Sequence, residues 1–175
     1  MSIDLPTEAQ TLKRSPASPG LRVLTVEDDE ADAYLIRRAL ADNPAVGQVV
    51  HACDGIEAIT MIENGLISPD LAFIDLRMPL MDGFDLLVTL AGRAEHGFPM
   101  VVLTSSASPG DAIRSRLRSA IRVITKPTTI VELYTVLEAA IEATCPGGVK
   151  PADTGPRKNP GFPLMGKTPS GLRRI

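Results

Sequence analysis

Leu71-Ala72-Phe73-Ile74-Asp75-Leu76-Arg77-Met78-Pro79-Leu80-Met81-Asp82-Gly83 is the stretch on which the fold turns. Four apolar residues in a row predict a short strand buried on both faces, as in a parallel sheet. Asp75 ends that run, and the turn formers Pro79 and Asp82-Gly83 follow at once. In an open parallel sheet, ligands bind in the crevice beyond the carboxyl ends of the strands. Asp75 therefore stands where chemistry is placed. An isolated aspartate there more often hydrogen-bonds its own turn, so its meaning depends on the other strand ends.

Upstream, Leu21-Arg22-Val23-Leu24-Thr25-Val26 is β-rich and stops abruptly at Glu27-Asp28-Asp29-Glu30. A helix is predicted from Asp29, with acids crowding its first turn and Ala33, Ile36 and Leu40 at helical spacing, until Asn43-Pro44. Val46 to Ala52 predicts a second strand. Asp54-Gly55 then turns into a helix through Ile59 and Ile62 that closes near Asn64-Gly65. Downstream of Gly83, Phe84, Leu87, Val88 and Ala91 recur at i, i+3, i+4 and i+7, an amphipathic pattern. Pro99 to Thr104 predicts a fourth strand, 109–119 a helix entered at Pro109, and Ile121 to Thr125 a fifth strand ending at Lys126-Pro127. Thr128 or Thr129 caps a last helix with Ile130, Leu133, Leu137 and Ile141 inward. Strands alternating with helices predict an α/β, doubly wound parallel sheet of five strands with helices on both faces.

Residues 1–20 are polar and Pro-rich, a disordered leader; 21–144 form the domain; 145–175 read as a flexible basic tail rich in Pro and Gly. The domain holds 18 acidic residues against 10 Lys/Arg, and 145–175 hold six basic residues against Asp153 alone. Opposite charges suit docking of the tail on the domain, on a second copy, or on an acidic partner. No stretch is long and apolar enough to span a bilayer, and the N-terminus lacks a signal-peptide pattern. Cys53 and Cys145 have no metal-type spacing and read as reduced thiols, so the expected compartment is the cytoplasm. Scarce aromatics and the lack of a folded reading motif argue against nucleic acid as a partner.

One sheet edge thus gathers Glu27 and Asp28 from the first strand, Asp75 from the third, Thr104 from the fourth and Lys126 from the fifth. Three clustered carboxylates either take up protons or bind a cation. Hard oxygen ligands that leave room for water suit Mg²⁺. A lysine and a hydroxyl opposite supply charge and a donor for phosphoryl oxygens, and carboxylates do act as phosphoryl-accepting nucleophiles. The set suits phosphoryl transfer onto Asp75.

Val26-Glu27-Asp28-Asp29, Ile74-Asp75 through Asp82-Gly83, Leu103-Thr104-Ser105-Ser106 and Thr125-Lys126-Pro127 resemble, in order and spacing, the receiver domain of two-component response regulators. The resemblance covers 21–144 and implies a flavodoxin-like fold with strand order 2-1-3-4-5. It implies that Asp75 is the phosphoacceptor, taking its group from a sensor histidine kinase or a phosphotransfer protein in a phosphorelay. It further implies that Glu27, Asp28, Asp75 and the backbone carbonyl of Arg77 hold Mg²⁺. Thr104 would be the switch hydroxyl, Lys126 its ion-pairing companion, and the Lys126-Pro127 bond cis. Such a domain is a signalling switch rather than an enzyme, beyond self-catalysed formation and hydrolysis of its aspartyl phosphate. The Leu-Thr-Ser-Ser segment is similar to receivers paired with phytochrome-like kinases, and the junction near Cys145 could serve as an arm across a homodimer.

Three positions depart from the family pattern. Val123 stands where a switch aromatic is expected, Arg77 is a large cation two residues after the acceptor, and Thr128 follows Lys126-Pro127 where an aromatic is frequent. Arg77 is expected to shield the acyl phosphate. It also argues against an aspartate-nucleophile phosphatase, which places a second aspartate there. A pseudo-receiver binding module, never phosphorylated, is the alternative that Val123 favours. Arg114, Arg116, Arg118 and Arg122 read as a solvated basic face, the partner-facing one in receivers. His51 and His96 read as structural or exposed.

Overall fold

The computed structural model describes residues 20–92, 97–105, 108–116 and 118–146. Apart from Gly20, Cys145 and Pro146, the expected leader and tail lie outside the described residues, as does His96. Strands β1 (Leu21–Val26), β2 (Val46–Ala52), β3 (Leu71–Ile74), β4 (Met100–Thr104) and β5 (Ala120–Thr125) alternate with helices α1 (Glu30–Ala41), α2 (Gly55–Glu63), α3 (Gly83–Ala91), α4 (Pro109–Arg116) and α5 (Ile130–Thr144). Every strand pairing is parallel, and the order across the sheet is β2-β1-β3-β4-β5. This is the doubly wound order expected.

Alternation along the strands builds two cores. Val23, Leu71, Phe73, Val101 and Leu103 point to one face, where Ile36 and Leu40 of α1 and Leu133, Leu137 and Ile141 of α5 cover them. Leu24, Val26, Ala72, Ile74 and Val102 point to the other, against Ala58 and Ile62 of α2 and Phe84, Leu87 and Leu90 of α3. All four β3 residues are buried, which is why that strand reads as an unbroken apolar run. Each large side chain sealed this way is worth about 1.5–3 kcal/mol.

Two helix faces differ from their expected register. In α3, Leu86 and Leu90 join the core while Val88 and Ala91 are exposed, so the buried stripe runs one residue earlier than the spacing suggested. In α5, Ile130 is exposed because the helix starts beyond the sheet edge and meets the core only from Leu133. Helix α4 covers Pro109–Arg116, and Arg118 and Ser119 lie in a turn rather than in the helix expected to 119. The Arg118 amide donates to the Ser115 carbonyl (3.0 Å) in a tighter turn, and Ser119 turns left-handed (φ 74°) to enter β5. No peptide bond among the described residues is cis, so the Lys126-Pro127 bond is trans, against what the resemblance implied. The Lys126 amide instead extends the strand pairing, donating to the Thr104 carbonyl (2.8 Å).

Where strands β1, β2 and β3 hand over to helices, Asp29, Asp54 and Asp82 each cap the helix that follows, and Thr129 does so for α5. Each cap satisfies amides left without helical partners, worth about 1 kcal/mol. At the opposite edge Arg22 clamps Asp70, its Nε and guanidinium donating at 3.1 and 3.0 Å and its amide at 2.9 Å, which fixes β1 against the segment entering β3.

Gly83 starts α3 directly under the β3 terminus. A Cβ there would run into the Asp75 carbonyl oxygen and lie 2.8 Å from the Leu76 Cα, both backbone atoms that have nowhere to go. Gly83→Ala is therefore expected to destabilise the fold by about 1–3 kcal/mol. Denaturant melts of the two chains check this, and an unchanged midpoint would refute it.

Candidate functional site

The carboxyl edge of the sheet positions the site. Asp75 follows β3, and its amide donates to the Val26 carbonyl (3.0 Å), continuing the β1–β3 ladder past the strand end. Glu27 follows β1, anchored likewise by its amide on the Ala52 carbonyl (3.1 Å) and by His51 Nε2, which donates to the Glu27 carbonyl (2.9 Å). His51 is thus structural. Lys126 leaves β5 beside Thr104, and its side chain reaches back over β4 toward β1 and β3.

The side chains of Glu27, Asp28, Asp75 and Lys126 come together. Lys126 Nζ lies 2.6 Å from Glu27 Oε2 and 3.8 Å from Asp75 Oδ1. Glu27 is 3% exposed and Asp75 7%, whereas Asp28 faces solvent. Carboxylate oxygens of Glu27, Asp28 and Asp75 all lie within 4.8 Å of one another. Thr104 is buried at the end of β4 on the same edge. The Arg77 amide donates weakly to Asp75 Oδ2 (3.3 Å), while its guanidinium turns to Asp111 of α4 (3.8 Å).

Charge in this setting is costly. Burial pushes the Glu27 carboxyl up to about 7, with Asp75 adding repulsion, despite the opposing hydrogen bond and charge of Lys126. Burial alone would lower the pKa of Lys126. Hydrogen bonds to Asp32 and Glu27, with the charges of Asp75 and Glu27, override it and raise the ammonium above its ordinary value. Asp75 Oδ1 is buried and has no hydrogen-bond partner. An orphaned carboxylate oxygen, a second carboxyl that resists ionising and a third open to solvent together fit a hard divalent cation.

Several contacts were not legible in the sequence. Asp32 of α1 accepts from Lys126 Nζ at 2.8 Å, and its position in the first turn of an acidic helix start suggests dipole pairing alone. In the basic run Arg114 and Arg122 are exposed, as expected, and Arg118 is half-buried. Arg114 and Arg118 lie over the Phe84 ring, 4.1 and 5.7 Å from its centroid, and Arg118 also meets Asp85 (3.8 Å). With Arg77–Asp111, these contacts tie α4 to α3 and to the loop after β3. Leu80 in that loop adopts φ 66° and is 84% exposed, an uncommon conformation for a leucine beside a site. Val123 is half-buried against the α2–α3 core and fills no aromatic role.

Comparison with known proteins places this geometry. The family model "Response regulator receiver domain" matches residues 23–138. The response regulator MprA of Mycobacterium tuberculosis is 31% identical over 126 residues, covering 72% of this chain and 53% of that protein. The sensor histidine kinase CheAY of Helicobacter pylori is 28% identical over 143 residues, covering 79% of this chain and 17% of the kinase. The chain thus spans about half the length of the MprA relatives it matches, and less of the kinase. Among solved structures, the phosphorylated cyanobacterial phytochrome response regulator RcpA superposes with a TM-score of 0.67 at 28% identity, covering 71% of this chain and 94% of that one. The Mn²⁺-bound response regulator Rcp1 gives 0.62 at 25%, covering 70% and 92%. With its five-stranded order, its carboxylate cluster and a family match over most of its length, the chain belongs to the receiver domains of response regulators.

Proposed function

We propose that this chain is a phosphorylatable switch whose Asp75 accepts a phosphoryl group from the histidine of a sensor kinase or phosphotransfer protein. The observation that carries it is Asp75 Oδ1, a buried carboxylate oxygen without a hydrogen bond, 3.8 Å from the Lys126 ammonium. An oxygen left unpaired inside a protein is expensive unless something uses it. Here it is a nucleophile facing the charge that would receive the incoming group. Attack of Oδ1 on phosphorus forms the acyl phosphate and releases the donor nitrogen. Lys126 and the Thr104 hydroxyl are the groups at hand for the new phosphoryl oxygens.

Glu27, Asp28 and Asp75, with the Arg77 carbonyl, would hold Mg²⁺, which supplies positive charge against the phosphoryl oxygens when bound. The Mn²⁺-bound form of the structural relative Rcp1 supports a divalent cation at this site. The phosphorylated state recorded for RcpA supports the acceptor chemistry, and its phytochrome pairing supports a phytochrome-like kinase as donor. Among the described residues no helix is long and apolar enough to cross a membrane. A cytoplasmic switch working through protein contacts, with a second copy as one candidate partner, fits this reading. The pseudo-receiver reading rests on Val123 alone, since every group needed for phosphorylation stands at the same edge.

Two measurements bear on this. Incubated with phosphoramidate and Mg²⁺, the chain is expected to gain one acid-stable, base-labile phosphate by intact mass, and Asp75→Asn to gain none. Uptake of the same phosphate by the variant would move the acceptor elsewhere. The second follows from Glu27. Its folded pKa of about 7 lies above the ordinary 4.5, so the folded state binds the extra proton between those values. The metal-free chain should therefore lose stability as pH rises from about 4.5 through about 7, and Mg²⁺ should bind more tightly above that range, displacing the proton. Glu27→Gln should flatten the stability profile in denaturation series across that window. An unaltered slope in the variant would put the titration on another group.

A further inference from the structure

Lys126 offers three N–H donors, and two are committed. Glu27 Oε2 takes one at 2.6 Å and Asp32 Oδ2 another at 2.8 Å, while Asp75 Oδ1, at 3.8 Å, lies beyond hydrogen-bond reach and has no other partner. Glu27 sits on the strand ladder and cannot follow the ammonium. Asp32 is different: it is in the first turn of α1, its side chain is 39% exposed, and water can solvate it if the lysine leaves. Asp32 is therefore the anchor that the ammonium can give up at least cost.

We propose that Asp32 is a positioning residue for Lys126. In the resting chain it draws the ammonium off Asp75, which keeps Oδ1 unpaired and nucleophilic. When a phosphoryl group occupies Asp75, the ammonium exchanges Asp32 for a phosphoryl oxygen, and Asp32 turns to solvent. The proposal rests on the reading of Asp75 as phosphoacceptor. It assigns to Asp32 a cost on the phosphorylated state that runs through the lysine: an anion arriving at Asp75 must win the ammonium from Asp32.

Beryllofluoride, a phosphoryl mimic that attaches to a carboxylate, reads this directly at saturating Mg²⁺. Asp32→Asn is expected to tighten its binding about three- to fivefold, the range open to a partly exposed ion pair. Asp32→Glu, which keeps the anchor, should stay near the unchanged chain. In a Lys126→Met background the gain from Asp32→Asn should shrink to less than about twofold, as a coupling routed through the lysine requires. A residue that merely supported the helix would weaken binding when replaced. Equal or weaker binding by Asp32→Asn, or a gain that persists without Lys126, would overturn the role of Asp32 alone. No binding by the unchanged chain would overturn the acceptor reading and this proposal with it.

Discussion

A single buried ammonium facing more carboxylates than it can neutralise is the constraint from which the rest follows. Lys126 stands among Glu27, Asp32 and Asp75, with Asp28 at the rim. Without the lysine, two carboxylates under a tenth exposed would share a site with no counter-charge, and at least one would protonate. With it, an excess of negative charge remains, a discomfort that a bound cation would relieve. The shift of Glu27 to about 7 records that discomfort.

The sheet order makes this arrangement necessary. β1 and β3 are neighbours, so Glu27 and Asp75 emerge side by side, each amide held by the adjacent strand. β5 is one strand further out, with β4 between, so its contribution must be long. A lysine spans that gap with its methylene stem while its head stays in the polar notch. Aspartate caps on α1, α2 and α3 add negative partial character around the same edge while fixing the loops that carry the site. Gly83 completes the frame, because nothing larger lets α3 start that close to Asp75.

Most of this was legible because the site is built from strand ends, and strand ends are where apolar runs meet turn formers. Asp75, Glu27, Asp28, Thr104 and Lys126 could be placed on one edge from the runs that precede them. Strand boundaries from Val46 to Ala52 and the cap at Thr129 follow from the same punctuation. What escaped was lateral. Asp32 faces Lys126 because of how α1 lies on the sheet, and helical periodicity places its neighbours Ala33 and Ile36 but not a polar contact across the site. Arg77–Asp111 and the arginines over Phe84 join elements by charge and ring contact, which leave no period in a sequence. The α3 stripe and Ile130 were misplaced for a related reason: several apolar residues were available, and packing chose among them. The left-handed turn at Ser119, which leads into β5, has no glycine to announce it.

The central claim is that Lys126 holds the buried carboxylates together, and it is tested most directly by removing that charge while keeping the stem. Equilibrium denaturation of Lys126→Met, metal-free at about pH 8, where Glu27 is ionised in the unchanged chain, should show a loss of about 3 kcal/mol, the cost of leaving the buried carboxylates either uncompensated or forced to take up a proton. Added Mg²⁺ should recover more stability in the variant than in the parent, since the cation would then be the main counter-charge. A variant as stable as the parent without metal would contradict the account.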